Sequence, residues 1–117
     1  MKKVLIVDDM LFMRNLLKTM LEENGFEVVA EAGDGLEAIE KYSEFRPDVV
    51  TMDITMKEMD GIEAIKGIRE IDENCKVVVI SALGMESMVM KAIAAGAKGF
   101  IRKPFEKENV IKTLNEI

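Results

Sequence analysis

The 117-residue chain contains no histidine and no tryptophan, and has one cysteine and two prolines. Without histidine it builds no imidazole-ligated metal site and no His-based acid–base centre. Cys75 has no partner for an internal disulfide, so a reducing compartment is expected and the thiol reads as a small apolar residue. No apolar run approaches the ~18 residues of a membrane span. The start, "MKKVLIVDD", is basic, but its apolar stretch VLIV ends at once in acids, unlike a signal peptide. A soluble, cytoplasmic protein is expected. Basic residues are too few as well: 16 against 22 acidic ones leave a net charge of −6, which argues against a grip on nucleic acid.

What is present is apolar sequence cut into short pieces. Apolar residues make up 49% of the chain, enough for the core of one domain spanning residues 1–117. Five runs recur: KVLIV (3–7), FEVVA (26–30), DVVTM (48–52), KVVVI (76–80) and KGFIR (98–102). They are mostly unalternated and β-branched, as expected of parallel strands covered on both faces. Helical patterns separate them. Met13, Leu16, Leu17, Met20 and Leu21 form one stripe. Leu36, Ile39 and Tyr42 or Ser43 form a second, and Ile62, Ile65, Ile68 or Arg69, and Ile71 a third. MESMVMKAIAAG ends at Gly96, and Val110, Ile111 and Leu114 mark the last helix. Strand and helix alternate five times. The expected fold is a single-domain α/β (βα)5 doubly wound parallel sheet.

In such sheets ligands bind beyond the carboxyl ends of the strands, at the switch in strand order. The residues there are Asp8 and Asp9 after the first strand, Asp53 and then Thr55 after the third, Ser81 after the fourth, and Lys103 followed by Pro104 after the fifth. Taken singly, a strand-end Asp is usually a turn or helix-capping residue and a lone Lys is usually solvated. Taken together they form a set. Three carboxylates against one ammonium leave excess negative charge, which a hard divalent cation with oxygen ligands relieves; Mg²⁺ fits one or two carboxylates, waters and a phosphoryl oxygen. Asp9 is the better placed for direct ligation, with Asp8 acting through a water, although the sequence leaves that assignment open. The same set suits phosphoryl transfer: Asp53 as nucleophile forming an acyl phosphate, with Lys103 and Ser81 each holding a phosphoryl oxygen.

The motifs VDD, MDIT, SA and KPF, in this order and on these strands, resemble the receiver domain of two-component response regulators over the whole chain. DDMLFMRNLLK and GIEAIKGIREI are most similar to the stand-alone, CheY-like chemotaxis type. The resemblance implies the flavodoxin-like strand order 2-1-3-4-5, Asp53 as the phosphoacceptor, and Asp8 and Asp9 as the acidic pair of a site for one Mg²⁺. It implies that the backbone carbonyl of Thr55 completes the metal shell. Ser81 and Phe100 would be the switch hydroxyl and aromatic, and Lys103 would precede a cis proline. It implies a histidine kinase as donor and an output protein, such as a flagellar or archaellar motor adaptor, on the face made by the fourth helix, fifth strand and fifth helix. A phosphatase, a monomeric state and self-catalysed phosphotransfer rather than turnover of a separate substrate complete the expectation. Period two puts Phe100 and Arg102 on one side of the fifth strand, both on the output face.

Some positions depart from the pattern or read two ways. Lys57 stands where the family usually has proline, which loosens that loop by about 0.4–1 kcal/mol of unfolded-state entropy. Leu83 reads as an ordinary loop residue or as an apolar lid over the acyl phosphate. Met85, Met88 and Met90 read as core filling or as an adaptable docking surface. Arg102 reads as a solvated edge residue or a partner contact. Rival readings are a haloacid-dehalogenase-like phosphatase, which wants an Asp where Thr55 stands, and a flavodoxin-type carrier, whose phosphate Asp8 and Asp9 would repel. A receiver cut from a longer regulator, or a receiver fold that binds without phosphorylation, are the closer alternatives.

Overall fold

The computed structural model describes residues 1–54, 56, 59–82 and 86–117. Its elements are β1 (Lys2–Val7), α1 (Leu11–Glu22), β2 (Phe26–Ala32), α2 (Gly35–Phe45), β3 (Val49–Met52), α3 (Gly61–Ile71), β4 (Val77–Ser81), α4 (Glu86–Ala95), β5 (Gly99–Arg102) and α5 (Lys107–Glu116). Each expected strand forms within a residue or two of its apolar run; β2 continues to Ala32. All neighbours pair in parallel, in the order β2-β1-β3-β4-β5.

Right-handed crossovers dictate the layers. The first connection runs towards one edge of the sheet and the later ones run the other way. One core cluster joins Val4, Ile6, Val78, Ile80 and Ile101 of the sheet to Leu17 and Leu21 of α1 and Val110 and Leu114 of α5. The other joins Leu5, Val7, Val50, Met52, Val77 and Val79 to Ala38 and Tyr42 of α2, Ile65 and Ile68 of α3, and Ala92 and Ala95 of α4. Consecutive strand residues therefore serve opposite layers, which is why the runs are apolar without alternation.

Two helix stripes differ from expectation. Leu36 is 54% exposed; Tyr42 is buried as expected, but alongside Gly35 and Ala38 rather than Leu36. Leu16 is likewise exposed, with Leu17, Met20 and Leu21 inside. The reason for α2 is close approach: a Cβ on Gly35 would lie 2.7 Å from the Met59 side chain and carbonyl, so the contact face takes small residues and the larger leucine is left outside.

Helices α2 and α3 begin alike. Asp34 Oδ1 accepts the Glu37 N–H at 2.8 Å, and Asp60 Oδ1 accepts the Glu63 N–H at 2.9 Å. Each satisfies one of the unpaired donors of a helix start. Asp34→Ala and Asp60→Ala are each expected to cost ~1 kcal/mol in urea unfolding. An unchanged midpoint in both would show that the caps contribute nothing.

Candidate functional site

The carboxyl ends of β1 and β3, the adjacent strands where the order switches, carry the acids. Oxygens of Asp8, Asp9 and Asp53 lie within 4.8 Å of one another. Asp8 and Asp53 are buried and Asp9 is exposed. Strand periodicity explains the convergence: Asp8 continues the row of Val4 and Ile6, Asp53 that of Val49 and Thr51, and Lys103 that of Ile101, all on the α1/α5 side.

Asp8 is held at every polar group. Its N–H donates to Ala32 O at 3.0 Å, and its carbonyl accepts Arg14 Nη1 at 2.6 Å. Its Oδ1 accepts the Met10 N–H at 2.9 Å, and its Oδ2 accepts Lys103 Nζ at 2.9 Å. Lys103 Nζ also lies 3.9 Å from Asp53 Oδ1, so one ammonium serves two buried carboxylates. Burial pushes the Asp53 carboxyl up from 3.8 to about 6; Lys103 and the Ile54 backbone N–H pull it down, while Asp8 and Asp9 push it up. Among the described residues, the one ammonium that reaches these carboxylates does not offset three of them. The donor set of oxygens only, with Asp9 facing solvent, suits a hard divalent cation.

Asp53 is fixed from behind. Its N–H donates to Val7 O at 2.9 Å, and Gly61 N–H donates to Ile54 O at 2.8 Å. The start of α3 thus packs directly on the peptide that carries the acid.

Ser81 and Phe100 belong to the opposite side of the sheet. Ser81 continues the row of Val77 and Val79, and Val79 pairs in register with Phe100. Phe100 is half-buried against the α2–α4 core cluster. Ser81 is 1% exposed, and its carbonyl accepts the Lys103 N–H at 2.8 Å, tying the end of β4 to the turn after β5. The Lys103–Pro104 peptide is cis, as the resemblance implies. Arg102 is exposed beside Ser81 in the β4–β5 register. Met88 is half-buried against the core and Met90 is exposed, so these two divide between the alternatives. Thr55, Lys57, Leu83 and Met85 lie outside the described residues.

Sequence reasoning did not single out Arg14 or Gly61 as site residues. No sequence signal marks Arg14; for Gly61 the Asp60-Gly61 pair, seven and eight residues past Asp53, is a faint signal.

The family described as "Response regulator receiver domain" matches residues 4–115. The chain is 56% identical over 116 residues to the chemotaxis protein CheY of Thermotoga maritima, covering 99% of this chain and 97% of that protein. It is 55% identical over 114 residues to the chemotaxis protein CheY of Bacillus subtilis, covering 97% and 95%. Among solved structures, a CheX-CheY-BeF3-Mg²⁺ complex from Borrelia burgdorferi matches with a TM-score of 0.95 and 41% identity, covering 98% of this chain and 87% of that one. CheY is itself a standard example of the switch-point rule in 2-1-3-4-5 sheets, so the position of the acids obeys that rule without testing it anew. The chain belongs to the response regulator receiver domain family.

Proposed function

We propose that the chain is a phosphorylation-driven switch of CheY type, working in the cytoplasm in a two-component chemotaxis pathway. The observation that carries this is the meeting of Asp8, Asp9, Asp53 and Lys103 at one sheet edge, with Asp53 buried beside one shared ammonium. Asp53 is the phosphoacceptor: a carboxylate oxygen bonds to phosphorus as the P–N bond of a donor phosphohistidine breaks. The donor lies on a separate histidine kinase, since this chain has no histidine.

Asp8, Asp9 and Asp53 would hold one Mg²⁺, to which the family resemblance adds the backbone carbonyl of Thr55. When bound, the ion neutralises charge on the acids and on the incoming phosphoryl oxygens. Asp9, solvent-facing, would be the direct ligand. Asp8, with both oxygens already engaged, would act through a water. Lys103 shifts from sharing two carboxylates to holding a phosphoryl oxygen, and Ser81 holds another.

The change reaches the surface through β4 and β5. A phosphoryl group adds charge and acceptor oxygens, drawing the Ser81 hydroxyl towards it. Ser81 shares its sheet face with Phe100, so its movement changes the space open to the Phe100 ring. The face of α4, β5 and α5, where Met90 and Ile93 stand exposed, then docks the output protein, a motor adaptor. Met10, Leu11 and Phe12 form an exposed apolar rim beside Asp9. That rim suits the kinase domain and a phosphatase, both of which must reach Asp53.

Acetyl phosphate with Mg²⁺, read by intact mass, tests the proposal. One phosphoryl group should add to the wild type, and none to Asp53→Asn or to wild type in EDTA. Absence of addition under every condition would favour a receiver fold that binds without phosphorylation.

A further inference from the structure

Arg14, one turn into α1, spans two loops of the site. Its Nε donates to Glu31 Oε1 at 3.1 Å, its Nη1 donates to the Asp8 carbonyl at 2.6 Å, and the same nitrogen lies over Gly33. Its side chain is only 19% exposed and that of Glu31 29%. A planar guanidinium with donors on both sides can join a carboxylate to a carbonyl; an ammonium on a flexible stem makes a single point contact. Asp8 begins the turn that carries both acids, and its carbonyl accepts this guanidinium.

We infer that Arg14 is a positioning residue for the metal pair: anchored by Glu31, it fixes the Asp8 carbonyl and with it the turn that aims Asp8 and Asp9. The inference rests on the reading of Asp8 and Asp9 as metal-holding acids. It has an unusual electrostatic signature. Arg14 is a cation near a proposed cation site, so by charge alone its removal would tighten Mg²⁺ binding. By positioning, its removal loosens binding, because groups that orient metal ligands are typically worth about 10–100-fold in affinity. The two effects have opposite signs, and the second is larger for a partly screened charge.

Mg²⁺ titrated calorimetrically into the full chain separates these cases. Arg14→Met is expected to weaken binding ~10-fold, and Arg14→Lys, which keeps charge and stem, to weaken it similarly. Glu31→Gln should weaken it less, and Arg14→Met with Glu31→Gln should be no worse than Arg14→Met alone. Thermal unfolding in EDTA and in Mg²⁺ supplies the second reading. A positioning role shrinks the Mg²⁺-induced rise in Tm. A merely structural role lowers both curves equally and overturns the inference, as does unchanged or tighter binding in Arg14→Met and Arg14→Lys. If wild type itself binds no Mg²⁺, the metal reading fails first and this inference falls with it.

Discussion

Gly61→Ala is expected to destabilise the protein by ~3 kcal/mol and to slow phosphoryl uptake from acetyl phosphate ~10-fold or more in the molecules that stay folded. A Cβ at Gly61 would stand 2.3 Å from the Asp53 carbonyl oxygen, 2.7 Å from Ile54 Cα and 3.0 Å from the Asp53 carbonyl carbon. All three are backbone atoms, so no rotamer change makes room. Either α3 retreats, losing the Gly61 N–H bond to Ile54 O and the packing of Ala64, Ile65 and Ile68, or the Asp53–Ile54 peptide moves and re-aims the acid. Against this, alanine gains at most about 1 kcal/mol of helix propensity, and less at a helix start.

Gly67 is the control. Its Cβ would meet Ile39 Cδ1 at 2.4 Å, but that is the end of a flexible side chain. Gly67→Ala should therefore stay within about 1 kcal/mol of wild type and phosphorylate normally. Urea unfolding and single-turnover mass kinetics check both. Equal behaviour of Gly61→Ala and wild type would show that the close approach has no effect on Asp53.

The contrast between these glycines marks where sequence reading reaches its limit. Strands were legible because a run covered on both faces leaves nothing but aliphatic residues, as in Val4–Val7 and Val77–Ile80. The acid cluster was legible because the carboxyl ends of parallel strands must meet, and an Asp pair, an Asp and a Lys there have no bland joint explanation. Contacts set by the absence of atoms were not legible. Gly35 and Ala38 join Tyr42 on the packed face of α2, yet hydrophobic periodicity weighs Leu36 above both, so Leu36 is the position it misplaces while Ile39 and Tyr42 pack on the core. Arg14 failed for another reason. Its role depends on Glu31, at the end of a strand 17 residues away, and charge patterning on α1 alone cannot show a partner on β2.

The electrostatics of the site give a prediction of comparable size. Lys103→Met in EDTA at pH 7.5 is expected to cost ~3 kcal/mol, the usual scale for removing one partner of a buried ion pair. Asp8 is 2% exposed and Asp53 8%, and both lose their shared cation. The pH dependence follows from Asp53. In wild type its folded pKa, about 6, stands above the ordinary 3.8, so the folded state binds its proton more tightly than the unfolded chain does. Its contribution to stability is therefore fullest below pH ~4 and is lost as pH rises through ~6, a swing of about 3 kcal/mol at most. Asp53→Asn removes that swing. The wild type minus Asp53→Asn difference, which cancels the remaining carboxylates, should grow more unfavourable to wild type from pH 5 to pH 7.5. Lys103 is among the influences that hold the Asp53 carboxyl down, so Lys103→Met should push the window upward and deepen the loss at neutral pH. Mg²⁺ replaces part of the missing positive charge, and should restore more stability to Lys103→Met than it adds to wild type. Denaturant unfolding at pH 5, 6, 7 and 7.5, with EDTA and with Mg²⁺, measures every one of these differences. A Lys103→Met protein that matches wild type in EDTA at pH 7.5, or whose deficit does not shrink on acidification, would mean that the buried carboxylates are compensated by something other than this ammonium.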